Sequence, residues 1–127
     1  MRDKPLAPGA SGVADAVALI YTTFPDASAA RRVAQSLLDE GAIACANIFA
    51  PHAAVYLWQG AAREEAEVGA LFKTTPERAE AAAQRLAALH PYDTPAILHW
   101  PARASAGFAA WVADATTDCG TARTVGR

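Results

Sequence analysis

The stretch Leu89-His90-Pro91-Tyr92-Asp93-Thr94-Pro95-Ala96-Ile97 marks the point where a helical pattern ends and a strand pattern begins. Pro91 cannot continue the alanine-rich helix before it, because proline lacks a backbone N–H and clashes with the preceding turn. The same turn gathers an imidazole, a phenol and a carboxylate. Such a cluster has two interpretations: a ligand site, or the hydrogen-bonding groups that close a helix end. The elements on either side of this turn determine the fold class.

The first half of the chain begins with a strand pattern and continues with a helix pattern. Residues 17–23 are a short apolar run with β-branched side chains, which predicts a buried strand. A helix is predicted to begin at Pro25-Asp26 or Ser28 and to end at Gly41, because glycine favours a helix end. Its inward-facing residues recur at helical spacing. They are Ala30, Val33, Ala34, Leu37 and Leu38.

Two strands are predicted between this helix and the next. An apolar run over residues 43–49 is interrupted by Pro51 and resumes over residues 55–58, before a turn at Gln59-Gly60. Residues 65–74 then alternate between two faces, which predicts a strand with one buried face. The carboxylates Glu64, Glu65 and Glu67 are interpreted as its solvated start. The alternative is a superficial, unspecific site for a divalent ion, since carboxylates are hard oxygen ligands.

The second helix is predicted to have Thr75 as its N-cap and Pro76 in its first position. It ends at His90-Pro91. Its inner face is predicted to carry Ala79, Ala82, Ala83, Leu86 and Leu89.

The chain after the turn completes the pattern with one strand and one helix. The strand is predicted over residues 96–100, closed by Pro101, and Ser105 caps the last helix. The order βαβ, βαβ, α predicts an α+β fold: a ferredoxin-like βαββαβ sandwich with an antiparallel sheet and an additional C-terminal helix. The first and third strands are then central. The second strand region is long and aromatic and would aggregate as a bare edge, so oligomerisation by edge pairing is expected.

Length and composition are those of one domain with flexible ends. The 127 residues include 34 alanines, which suits close packing of helices on a sheet. Residues 1–15 and 116–127, rich in small and polar residues, are predicted to be flexible segments around a domain at residues 16–115.

Charge and cysteine content exclude several classes of function. The net charge is −2 without a block of basic residues, so no nucleic-acid partner is expected. No apolar run is long enough for a membrane span or typical of a signal peptide. Cys45 and Cys119 form neither a CxxC pair nor a disulfide framework, which predicts a reducing, cytoplasmic location.

Several distinct motifs, spread from about residue 17 to residue 115, occur in one order and spacing. Together they resemble the CutA family of divalent-cation tolerance proteins, and the set is far more specific than any one motif. The motifs are Thr22-Thr23, Ala44-Cys45-Ala46-Asn47-Ile48, Tyr56-Leu57-Trp58-Gln59-Gly60, Phe72-Lys73-Thr74-Thr75 and His90-Pro91-Tyr92-Asp93-Thr94-Pro95.

The resemblance implies a homotrimer that assembles through edge strands, with an architecture similar to the PII signalling proteins. It also implies a non-enzymatic role in the response to divalent metals, with no required cofactor. The family's proposed copper ligands are a cysteine near the end of the first strand, the histidine of the His-Pro-Tyr motif and a following glutamate. Here Tyr21 and Ala96 stand at two of those positions and only His90 remains, so weak binding of copper or zinc is the expectation.

His90 and Asp93 are the candidate metal ligands, as a His/Asp pair suits a borderline metal ion. The alternative is structural. A protonated His90 interacts favourably with the helix end and donates to its last carbonyls, and Asp93 forms an Asx-type turn.

Tyr56 and Trp58 lie two residues apart and therefore point to the same strand face. A subunit contact is one interpretation. The resemblance suggests another, an inter-subunit cleft that also includes Lys73, Tyr92 and His90. In this second hypothesis the protein is a PII-like sensor, and Lys73 offers a cation to an anionic metabolite, although the chain lacks a glycine-rich phosphate loop. A third hypothesis, an enzyme such as an acylphosphatase, finds no readable catalytic set.

Overall fold

The computed structural model describes residues 15–116, and within them it contains four strands and three helices. The predicted flexible segments, 1–15 and 116–127, therefore lie outside the described residues except for their innermost positions. None of the described helices has the length and apolar content needed to cross a membrane. In chain order the elements are β1 (Ala16–Phe24), α1 (Ala27–Asp39), β2 (Cys45–Trp58), β3 (Ala61–Thr74), α2 (Ala79–Leu89), β4 (Ile97–Arg103) and α3 (Ala106–Ala115).

The four strands form one antiparallel sheet in the order β2-β3-β1-β4. The predicted ferredoxin-like α+β fold is thus confirmed, with β1 and β3 in the centre and β2 and β4 at the edges. Side chains alternate along β1, so Ile20 and Phe24 join the main core with α1 and α2. Val17 faces the other way and packs with Val112 of α3. The third helix therefore covers one end of the sheet face opposite α1 and α2.

The first helix follows the predicted pattern closely. The carboxylate of Asp26 caps it by accepting the N–H of Ala29 at 2.8 Å, and Gly41, with φ of 74°, ends it in a left-handed conformation. Three of its five buried residues are alanine, which lets the helix axis lie close to the sheet. The buried residues are Ala29, Ala30, Val33, Ala34 and Leu37, whereas the predicted Leu38 is only half-buried.

Two prolines lie in edge strands, and the predictions for them have different outcomes. The predicted interruption at Pro51 is confirmed as a bulge, whereas the predicted end of the fourth strand at Pro101 is wrong. Pro51 lies inside the continuous strand β2, where a bulge between Ile48 and Pro51 shifts the register before pairing resumes. Pro101 lies inside β4, opposite Ala18. Both strands are sheet edges, where a residue without an N–H can be accommodated because one side of the strand has no ladder partner.

The start of the second helix agrees with the prediction in position, with Thr75 at the N-cap and Pro76 in the first turn, but differs in detail. Thr75 makes no side-chain capping bond, and a short 3-10 turn at Pro76–Arg78 precedes α2. The predicted inner face is nevertheless confirmed. Ala79, Ala82, Ala83 and Leu86 are buried, and Leu89 is half-buried against the core.

Strands β2 and β3 extend beyond the rest of the sheet as a two-stranded ribbon. The pairing of β1 with β3 ends at Phe24 and Val68, whereas β2 and β3 remain paired as far as Trp58 and Ala61. Gln59-Gly60 forms the connecting two-residue turn, with φ of 52° and 81°. Positive φ at both positions matches the twist of the flanking strands. The ribbon provides one wall of the candidate site.

Candidate functional site

His90 lies at the exit of α2 and joins it to the end of β1. Its backbone is extended, with φ of −71° and ψ of 140°, and only 8% of the residue is exposed. Its Nε2 atom is 2.9 Å from the carbonyl oxygen of Thr23 and 3.1 Å from the hydroxyl oxygen of Thr22. Its Nδ1 atom lies 3.1 Å from the backbone N–H of Tyr92. Since that N–H is a donor, Nδ1 accepts, and the bond to the Thr23 carbonyl assigns the proton to Nε2.

The His90 ring is therefore neutral, which corrects the predicted structural role of a protonated histidine that donates to the last helix carbonyls. Burial lowers the pKa of His90, against the opposing effects of the Thr23 carbonyl and the Glu67 carboxylate. The ring also stacks on Phe24, with 4.6 Å between centroids and 8° between planes. The helix exit packs onto the end of β1, so the imidazole bonds to that strand rather than to its own helix.

The predicted metal pair, His90 and Asp93, has one buried and one exposed member. Both ring nitrogens of His90 already have hydrogen-bond partners, so coordination of a metal ion would require the loss of one of those bonds. Among residues 15–116, no three or more His, Cys, Asp or Glu side chains converge in a way that could hold a metal ion. The pair stays a prediction.

A cleft of about 620 Å³ lies between the β2–β3 ribbon and the loop that follows α2. It brings together four of the predicted site residues, Tyr56, Trp58, Tyr92 and Asp93. Its lining residues are Tyr56, Trp58, Arg63, Glu65, Glu67, Pro91, Tyr92, Asp93 and Thr94.

The other two predicted residues, Lys73 and His90, do not line this cleft. Lys73 lies six positions along β3 from Glu67, and its ammonium group donates to the side-chain oxygen of Asn47. His90 lies behind the cleft wall, where it holds the N–H of Tyr92. Within the single chain, the predicted residues therefore lie in the cleft lining, directly behind it and in a separate part of the sheet. The predicted inter-subunit cleft itself stays a prediction.

Two tyrosine–glutamate pairs organise the polar part of the cleft. The Tyr92 hydroxyl donates to Glu67 Oε2 at 2.9 Å. Burial and this carboxylate together raise the pKa of the Tyr92 phenol well above its ordinary value. Desolvation and a hydrogen bond to Glu65 likewise raise the pKa of Tyr56. Both phenols therefore stay protonated at neutral pH and act as donors.

The charge of the cleft is predominantly negative. Glu65, Glu67 and Asp93 contribute three carboxylates, against the single guanidinium of Arg63. This balance attracts cations and disfavours an anionic metabolite, so the anion-sensor hypothesis gains no support from the lining.

The sequence interpretation placed Glu65 and Glu67 at a solvated strand start, or in a superficial ion site, and did not place them in the cleft that they line. The sequence feature that could have predicted their position is the two-residue turn at Gln59-Gly60, because it fixes the register of the hairpin. That register places Tyr56 opposite Arg63. Residues at alternate positions of the two strands share a face, so Glu65 and Glu67 lie on the same side as the aromatic residues.

The fold and the cleft define a small α+β protein of the ferredoxin-like class with an acidic, aromatic cleft at the exit of its second helix. Residues 18–115 match the CutA1 divalent ion tolerance protein family. The chain belongs to this family.

Relatives with known structures or curated names agree with this membership. The divalent-cation tolerance protein CutA of Pyrococcus horikoshii is 48% identical over 80 residues, which are 63% of this chain and 78% of that protein. The crystal structure of CutA1 from Ehrlichia chaffeensis superposes with a TM-score of 0.76 at 39% identity and covers 80% of this chain and 95% of that one. A CutA structure from Archaeoglobus fulgidus, described as periplasmic, gives a TM-score of 0.75 at 30% identity over 80% of this chain and 99% of that one.

Proposed function

We propose that this protein acts in the tolerance of divalent cations as a non-enzymatic homotrimer that binds a divalent metal weakly. The observation that carries the proposal is the family match over residues 18–115, which spans nearly all of the described domain. The acidic cleft supports it, because carboxylate oxygens raise the local concentration of cations.

The trimer is supported by large apolar side chains that remain exposed in the single chain. Leu98 and Trp100 on β4 are 59% and 42% exposed, and they pair with Tyr21 and Leu19 on the sheet face opposite α1 and α2. Leu57, on the ribbon, is 75% exposed. Soluble proteins seldom leave such surfaces uncovered, and identical subunits would cover them by pairing their edge strands.

Weak metal binding is supported by the position of Asp93 in the acidic cleft and of His90 directly behind it. The affinity is expected to be low, since His90 would have to release either the Tyr92 N–H or the Thr23 carbonyl. The chain builds an apolar core from β1, β3, α1 and α2, so we infer that no metal is required for folding.

Calorimetric titration with copper and with zinc tests the metal-binding part of the proposal. The wild-type chain should give saturable heat, and Asp93→Asn and His90→Gln should each weaken binding several-fold. Glu64→Gln, a change of the same charge outside the cleft lining, is the control. Absence of saturable heat with both ions would contradict the proposed metal binding. An unchanged melting temperature in the presence of EDTA is expected if the fold needs no metal.

The cytoplasmic location expected from the cysteine pattern is also part of this proposal. Cell fractionation with antibodies against the native protein tests it. Recovery in a periplasmic fraction, as the description of the Archaeoglobus relative suggests for that protein, would contradict it.

A further inference from the structure

We propose that the cleft between the β2–β3 ribbon and the loop after α2 binds a small organic cation. An ammonium group would lie against the aromatic side chains, balanced by the carboxylates of the lining. This inference goes beyond the proposed role in divalent-cation tolerance and does not depend on it.

The size of the cleft fits a small molecule rather than a single ion. Its volume of about 620 Å³ lies within the range typical of small-molecule sites. A bare metal ion needs several converging ligands at short distance, and no such cluster exists among residues 15–116. A molecule of several heavy atoms can instead contact both the ribbon and the loop.

The charge of the lining determines the sign of the ligand. Three carboxylates, on Glu65, Glu67 and Asp93, meet one guanidinium, on Arg63. Two of these carboxylates accept hydrogen bonds from neutral phenols, which orient them without cancelling their negative charge. A cation therefore gains Coulomb energy in the cleft, whereas an anion meets net repulsion.

The aromatic side chains of the cleft favour an organic cation over a hydrated inorganic one. Tyr56, Trp58 and Tyr92 all line the cleft, and Trp58 remains 54% exposed. Ring faces attract ammonium groups, and those with alkyl substituents also bury apolar surface against the rings. A strongly hydrated divalent ion keeps its water and gains little from such contacts.

One wall of the cleft is held in place before any ligand binds. Tyr92 is fixed at its backbone by His90 Nδ1, at 3.1 Å, and at its hydroxyl by Glu67, at 2.9 Å. Its ring lies 5.1 Å from the imidazole of His90, which itself stacks on Phe24. A wall fixed at both ends reduces the entropy lost on binding.

Calorimetric titration of the full chain with choline tests the proposal. The matched probe is 3,3-dimethyl-1-butanol, which has the same shape without the charge, and citrate is the anionic probe. Choline should give saturable heat, and neither of the other two should. EDTA in all solutions removes divalent metals, so a failure here leaves the copper and zinc titrations unaffected.

Two cleft variants and one control assign the binding to this site. Glu65→Gln and Trp58→Ala should each raise the dissociation constant for choline about tenfold. Glu64→Gln removes the same charge one residue away. Glu64 pairs with Val55 and therefore lies on the other face of the ribbon from Tyr56 and Arg63. This variant should leave the dissociation constant unchanged. Size-exclusion chromatography and circular dichroism confirm that each variant keeps the wild-type fold and assembly.

Four results would overturn the proposal. They are no saturable heat with choline, equal binding of the neutral probe, binding of citrate instead, and an equal loss of affinity in Glu64→Gln and Glu65→Gln.

Discussion

His90 connects three parts of the molecule through one ring. Its Nε2 bonds to Thr23 at the end of β1, its Nδ1 holds the N–H of Tyr92 in the cleft wall, and its face stacks on Phe24 in the core. The bond from the Tyr92 N–H needs the neutral ring, because Nδ1 must accept, whereas the bond to Thr23 needs only the proton on Nε2. The protonation state of one buried side chain therefore bears on both the stability of the domain and the shape of the cleft.

The burial of His90 predicts how stability depends on pH. Its pKa is lowered in the folded protein, so between that value and about 6.5 the unfolded chain binds more protons. The free energy of unfolding should therefore rise with pH across this window and lose the His90 contribution as pH falls through it. Urea unfolding from pH 5 to pH 7.5 measures the slope. His90→Gln, which cannot titrate, should have a smaller slope, and an unchanged slope would contradict the prediction.

Two glycines differ in backbone conformation, and replacing each by alanine tests that difference. Gly107 lies in α3 with open space around its Cα, whereas Gly60 lies in the ribbon turn with φ of 81°. An added Cβ restricts the unfolded chain in both cases but is strained only where φ is positive.

Gly107→Ala should stabilise the protein by about 0.4 to 1 kcal/mol, and Gly60→Ala should destabilise it by about 1 kcal/mol or more. Thermal or urea unfolding at one protein concentration measures both. Each variant is the control for the other, since both replace glycine by alanine. A shift of the same sign in both variants would show that the two backbone conformations are not as described.

Assembly is a property of the whole molecule and depends on the apolar surface that the single chain leaves exposed. The predicted homotrimer should have three times the chain mass of 13.2 kDa by light scattering. Leu98→Glu places a charge on the exposed face of β4 and should produce smaller species or a lower melting temperature. Arg31→Glu, on the exposed side of α1, is the control and should leave the mass unchanged. A wild-type monomer would contradict the prediction.

Much of the fold could be predicted from local patterns. The apolar spacing around Val33 and Leu37 identified the inner face of α1, and the alternation before Thr74 identified the buried face of β3. The error concerned Pro101, which local rules treat as the end of a strand. Whether a proline is tolerated depends on which strands lie at the edge of the sheet, and that is a property of the assembled sheet.

The candidate site could be predicted only in part. Tyr56, Trp58, Tyr92 and Asp93 were identified and do line one cleft. Lys73 was predicted to line an inter-subunit cleft; in the single chain it lies further along β3 and donates to Asn47, so its place in that cleft stays a prediction. The positions of residues distant in sequence depend on register and strand order, which sequence spacing alone does not specify.

The sequence by itself determined the order of strands and helices and the faces that they bury, because these depend on periodicity and local backbone preference. Its ordered motifs, by their resemblance to known sequences, also indicated the family. Only the tertiary structure decided that His90 is neutral and that Glu65 and Glu67 join the aromatic residues in one acidic cleft. The physical reason is that desolvation and hydrogen bonding depend on the neighbours a side chain meets, and for His90 those neighbours, Thr22 and Thr23, are more than sixty residues away.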